Sequence, residues 1–229
     1  MRTLAAPSAR IASRYDWRFP PLAESPLATR LIGSAVKAVW KRVAPPGQEL
    51  GHGTAEGFAE PAAGRYMIDF GGWAEIWTEG ETFGGKHGRS LDSLSPRSAH
   101  TGSGDVLWLL RLLPGLTEAS PDGTETLRET ACRKFAVRVD TARAAVASKV
   151  ELRVSRGVSP GQERSLALRV WIDGRHVRQI WFQEGGKPDA TTGEAGNGIA
   201  KDLTLELWDF GVPTGDLDWS RLPRFQVPG

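Results

Sequence analysis

The chain has 229 residues, 40% hydrophobic and 24% charged, with a formal net charge of +2. This is the composition of a soluble globular protein with one sizeable core. The small net charge, with no Lys/Arg block interleaved with aromatics, argues against a nucleic-acid partner, and the single cysteine, Cys132, excludes an intrachain disulfide.

Residues 1–24 are rich in Pro, Ala, Arg and Ser and show no period, so they are expected to form an arm laid over the surface. Within it Tyr15, Trp17 and Phe19 alternate, which predicts an extended course docked on something apolar. No continuous apolar run of a secretory signal stands here, no lipidation cysteine lies near, and no run approaches transmembrane length. The expected location is therefore the cytoplasm, with the cell envelope reopened if the start site lies elsewhere.

Ser25-Pro26 supplies an N-cap hydroxyl and a proline at the first helical position. Leu27, Leu31, Ile32, Ala35, Val36, Val39, Trp40 and Val43 then recur at spacings of three and four, predicting an amphipathic helix that Pro45-Pro46-Gly47 stops. Residues 45–64 read as loop. Residues 65–83 return to strand character, with Tyr66, Ile68 and Phe70 alternating before Gly71-Gly72 and then Trp73, Ile76 and Trp77. Residues 84–104 lack an apolar period and read as a long Gly, Ser and His loop.

Residues 105–116, DVLWLLRLLPGL, predict a short, very apolar helix capped by Asp105 and broken at Pro114-Gly115. Residues 124–140 supply two strand-like segments, 141–147 a helical turn of small residues, and 149–155 a short strand. Leu166, Leu168, Val170 and Ile172 alternate with Ala167, Arg169, Trp171 and Asp173, the period of a strand with two different faces. Asp173-Gly174 tolerates a tight turn, and residues 176–183 return as a second strand. After a Gly-rich loop at 184–201, Leu203, Leu205 and Leu207 oppose Thr204, Glu206 and Trp208 on a third. The end, 213–229, reads as an extended tail anchored by Trp219 and Phe225. These elements predict a single α+β domain at 25–217, an antiparallel sheet with two to three helices on one face, between an arm at 1–24 and a tail at 218–229.

The search for chemistry returns little. His52, His87, His100 and His176 lack the i, i+4 spacing of metal ligands, and one cysteine adds little to them. The Gly pairs follow strands without opening helices, so neither the dinucleotide nor the P-loop pattern is met. No Gly-x-Ser-x-Gly elbow occurs, and Lys86-His87-Gly88-Arg89, the densest polar cluster, reads as a solvated loop. No enzyme and no cofactor are expected. What stands out is the tryptophan load, with Trp40, Trp73, Trp77, Trp108, Trp171, Trp181 and Trp208 on predicted helices or strands. Trp171, Trp181 and Trp208 sit off the aliphatic register, on a second apolar layer docked by the tails or along a cavity wall.

The stretch Val170-Trp171-Ile172-Asp173-Gly174-Arg175-His176-Val177-Arg178-Gln179-Ile180 resembles the signature hairpin of the LppX/LprG type of actinobacterial lipoprotein, a branch of the LolA-like half-barrels. The closing segment from Leu203 to Gly211 resembles the last strand of that family, 105–110 its mid-chain helix, and 135–143 its central strand and small-residue turn. The resemblance implies a curved antiparallel sheet wrapping helices around a hydrophobic cavity that in the family holds acyl chains. It departs in lacking the family's signal and anchoring cysteine, and in its aromatic-bearing ends. On this reading the protein binds an apolar molecule of lipid type without catalysis. The cavity residues are Val36, Trp40, Ile68, Leu109, Leu168, Val170, Ile180 and Leu205, each making dispersion contact with an apolar chain. The alternative is an interaction module, docking a protein partner or a second copy through the aromatic ends and the Trp-bearing face around a closed core.

Overall fold

The computed structural model describes residues 2–18, 52–69, 73–78, 81–86, 92–94, 99–100, 107–148, 152–153, 165–185 and 200–212. Its strands are β1 (Ala9–Arg18), β2 (His52–Glu60), β3 (Arg65–Asp69), β4 (Trp73–Thr78), β5 (Glu81–Lys86), β6 (Asp92–Leu94), β7 (Ala99–His100), β8 (Leu116–Leu127), β9 (Thr130–Asp140), β10 (Leu152–Arg153), β11 (Ser165–Ile172), β12 (Val177–Gly185) and β13 (Ala200–Trp208). Two helices are described, α1 (Trp108–Leu112), continued by a 3-10 turn at Leu113–Gly115, and α2 (Thr141–Ser148). Eleven strands form one sheet in the order β6-β5-β4-β3-β2-β1-β13-β12-β11-β9-β8, and β7 pairs with β10 in a small parallel sheet of their own. The large sheet is antiparallel, curved and unclosed, and it wraps the two helices, the α+β architecture expected from the sequence.

The three-stranded meander β11-β12-β13 follows its aliphatic register. Leu168 faces Phe182, Val170 faces Ile180, and Ile180 and Phe182 face Leu205 and Leu203 in turn. Every second residue therefore points to the inner face, where these side chains join Val137 and Val139 of β9 and the α1 residues Trp108, Leu109, Leu110 and Leu112 in one buried cluster. Trp108 meets Phe182 edge-on, their ring centroids 5.5 Å apart. Each such aliphatic side chain contributes about 1.5–3 kcal/mol through burial, so the meander and α1 anchor the core. Helix α2 packs on the 3-10 turn through small residues. A Cβ at Gly115 would overlap the Asp140 carbonyl and Ala144, and Ala144 is fully buried.

Four expectations fail. Residues 9–18 are not an arm over the surface. They are β1, an interior strand paired with β13 on one side and β2 on the other. The alternation does mark extended chain, but it belongs to the sheet, with Ala9 and Ile11 on the inner face and Arg10 and Arg14 outside. Residues 52–60 are likewise not loop but β2, whose inner positions are the small residues Gly53, Ala55, Gly57 and Ala59. Small residues are needed there, since a Cβ on Gly57 would overlap the Met67 carbonyl on β3. Within 84–104, residues of β5, β6 and β7 are strand. The β8–β9 pair begins at Leu116 rather than at 124, because Pro121-Asp122-Gly123 forms a bulge in a strand instead of ending one. The expected helix at 25–43, the domain limits at 24/25 and 217/218, and the carboxyl tail lie outside the described residues.

Candidate functional site

Six of the eight expected cavity residues are described, and the fold brings them together. Leu168, Val170, Ile180 and Leu205 are neighbours across three strands, Leu109 approaches from α1, and Ile68 extends the patch to β3. All six are closed in, with exposures between 0% and 3%. Val36 and Trp40 lie outside the described residues. Around the six, the inner face is apolar without a break from β3 to β9, taking in Tyr66, Ala55, Ile11, Leu207, Phe182, Leu166 and Val137.

The off-register tryptophans occupy the outer face, each under a cation. The Arg128 guanidinium lies 3.8 Å from the ring of Trp208, Arg169 lies 5.0 Å from Trp181, and the Lys134 ammonium lies 5.5 Å from Trp171. Trp171 is buried and its indole N–H donates to Glu125 on β8 at 2.9 Å. Cys132 is buried and donates its thiol to the Thr130 carbonyl. Burial pushes that thiol above its ordinary value of 9.0, partly offset by the charge of Arg178, so it is a packed thiol and no ready nucleophile.

A second feature lies where the β8–β9 turn, the β11–β12 turn and the end of β13 meet. The β8–β9 loop consists of Arg128 and Glu129 alone, both at positive φ (42° and 64°). This is the geometry of a hairpin turn that favours Asn-Gly, and here two larger residues adopt it. Their hairpin reaches across the outer face. Arg128 Nε donates to Glu206 of β13 at 2.6 Å, and the same guanidinium lies 3.9 Å from Glu56 of β2. The β11–β12 turn is fastened differently. Asp173 Oδ1 accepts the backbone N–H groups of Arg175 and His176, and Oδ2 accepts Arg178 Nε at 2.6 Å. Burial alone would raise the Asp173 pKa. The N–H groups of His176 and Arg175 and the Arg178 guanidinium more than offset it, and the carboxyl sits below its ordinary value of 3.8. His176 stacks on Phe210 with centroids 4.1 Å apart, and Arg178 lies over the same ring.

Between these turns lies a half-open cleft of about 420 Å³, lined by Arg128, Arg175, His176, Arg178, Trp208 and Phe210 among others. Its residues come from three distant stretches of sequence. Two of them, the hairpin after Val170 and the closing strand from Leu203 to Gly211, are recognisable in the sequence as packing patterns and a turn, not as a site. Among the described residues no group of His, Cys, Asp and Glu is placed to hold a metal ion, and no helix is long and apolar enough to cross a membrane.

No family model matches the chain, and no curated protein matches it significantly. Among solved structures it is similar to the lipoprotein LppX of Mycobacterium tuberculosis, at 15% identity over 91% of this chain and 88% of that one, with a TM-score of 0.43. LprF of Mycobacterium bovis aligns at 10% identity over 93% and 89%, with a TM-score of 0.45. An uncharacterized conserved protein of Thermus thermophilus aligns at 11% identity over 97% and 91%, with a TM-score of 0.39. These are remote similarities, below the level of a shared family, and they assign this chain no ligand.

Proposed function

We propose that the protein is a non-enzymatic binder of an apolar ligand of lipid or acyl-chain type, held along the inner face of the sheet. The observation that carries this reading is the extent of that face. Seven neighbouring strands, β3 to β9 in sheet order, present buried apolar side chains on one side. At about 4.8 Å between strands they span about 29 Å. A continuous apolar face of that breadth suits a long, flexible hydrocarbon. Because Ile68, Leu109, Leu168, Val170, Ile180 and Leu205 are closed in, the cluster must part for a chain to enter.

Native mass spectrometry of the purified protein, followed by organic extraction, tests this directly. The expected result is a co-purifying lipid, or saturable uptake of a fluorescent acyl probe that Leu168→Trp diminishes. A protein that carries no lipid, takes up no probe and shows a solid interior by xenon binding is a closed-core fold, and the proposal fails.

A further inference from the structure

The cleft between the β8–β9 and β11–β12 turns has no part in the apolar reading, yet its volume of about 420 Å³ is that of a small-molecule site. Its charges are unevenly committed. Asp173 is taken up by two backbone N–H groups and by Arg178, Glu206 by Arg128, and Asp209 faces Arg10 at 3.4 Å. Each carboxylate thus has its own arginine. Arg175 is left over, with an exposed guanidinium that makes no ion pair among the described residues. Arg178 gives Asp173 its Nε–H, and its terminal N–H groups have no partner among the described residues. Behind them stand the stacked rings of His176 and Phe210.

We propose that this cleft binds an oxyanion, a carboxylate or phosphate group, with Arg175 and Arg178 as its direct ligands. The two guanidiniums offer a planar fork of donors, the geometry that matches both groups. Asp173 acts as the positioning residue. Its hold on Arg178 Nε places that guanidinium before the anion arrives, and its hold on the Arg175 N–H sets where the exposed Arg175 side chain leaves the turn to close on it. The inference does not rest on the apolar reading. The anion can be free in solution or be the head of an amphiphile whose chain runs past Leu207, which lines the cleft and also belongs to the core cluster.

Isothermal titration calorimetry on the full chain at low ionic strength distinguishes these. The probes are inorganic phosphate, acetate and octanoate, against the wild type and Arg175→Gln. Arg175 is exposed and its side chain supports nothing else, so the variant is expected to keep its circular dichroism and melting temperature. Saturable binding of phosphate or acetate, weakened about tenfold or more in Arg175→Gln, identifies a site for free oxyanions; that loss is the scale of one charge-assisted hydrogen bond. Binding of octanoate alone, weakened likewise, identifies a headgroup site. Arg175→Lys should recover only part of the affinity, because an ammonium cannot reproduce the fork. No saturable binding of any probe, or binding that Arg175→Gln leaves unchanged, overturns the proposal. If octanoate binds equally to both proteins, the apolar reading stands while this one falls.

Discussion

Arg128 holds the β8–β9 hairpin across the outer face, and its replacement gives a quantitative test of that role. Its guanidinium is 45% exposed and the Glu206 carboxylate 23% exposed, so their 2.6 Å ion pair is solvent-screened and is worth about 0.5–1 kcal/mol. The contact with Trp208 at 3.8 Å adds about 0.5–1 kcal/mol. Arg128→Ala should therefore destabilise the fold by about 1–2 kcal/mol, which for a domain of this size lowers the melting temperature by about 2–8 °C. Arg128→Gly removes the same contacts but also relieves the positive φ of 42°. An L-residue there costs about 1–2 kcal/mol, and glycine returns about 0.5–1 of it as extra unfolded-chain entropy. Gly should thus be the milder of the two by about 0.5–1 kcal/mol. Urea unfolding followed by circular dichroism measures both, and a double-mutant cycle with Glu206→Gln isolates the ion pair. A loss under about 0.3 kcal/mol in Arg128→Ala would refute the latch and leave the hairpin held by its pairing with β11, while an Arg128→Gly no better than Ala would show that the positive φ carries no strain. High salt should shrink the Glu206 coupling while sparing most of the tryptophan contact.

Gly57→Ala should destabilise by about 1–3 kcal/mol, because its methyl would overlap the β3 backbone at Met67 and Ile68; a neutral result in thermal melts would mean the strands part there at little cost. Leu205→Ala, at 1% exposure, should cost about 2–5 kcal/mol, and a loss under about 1 kcal/mol in urea unfolding would show that the inner face collapses on demand. The pKa of Asp173 is lowered in the fold, so its ionised form contributes stability that is fully present above its ordinary value of 3.8 and is lost as pH falls through the lower folded value. Asp173→Asn should accordingly be less stable than wild type at neutral pH, with the gap narrowing below about pH 4; a gap constant across acid titration would contradict the assignment.

Legibility in the sequence follows the size of the inward side chains. The meander is readable because Leu166, Leu168, Val170, Leu203, Leu205 and Leu207 alternate with polar partners. β2 is not, because its inner positions are Gly53, Ala55, Gly57 and Ala59, chosen for close approach and carrying almost no hydrophobic contrast. β1 hides for a different reason: Tyr15 and Trp17 mark it as extended, but the Pro, Ala, Arg and Ser around them read as an arm and not as a strand of the sheet. β8 is an edge strand whose side chains are nearly all exposed, so no burial pattern marks it, and Pro121 disguises the bulge. Of the apolar site, the six described residues were legible because core residues are what periodicity detects. The cleft was invisible because its arginines meet only when two turns and a strand end converge, and no local spacing records that.

The pairing of β1 with β13 has a consequence for how the chain is made. Ser8 donates its hydroxyl to the Val212 carbonyl across 204 positions of sequence, and between them β1 meets β13 along most of its length. At about 5–20 residues per second of synthesis, one side of β1 waits about 10–40 s for its neighbour. β2 can occupy its other side early, so the nascent chain holds a half-sheet, β1 to β6, whose β1 flank stays open until β13 arrives. Folding is then set by the arrival of β13, and any delay before it emerges lengthens the time in which that flank can take the wrong partner.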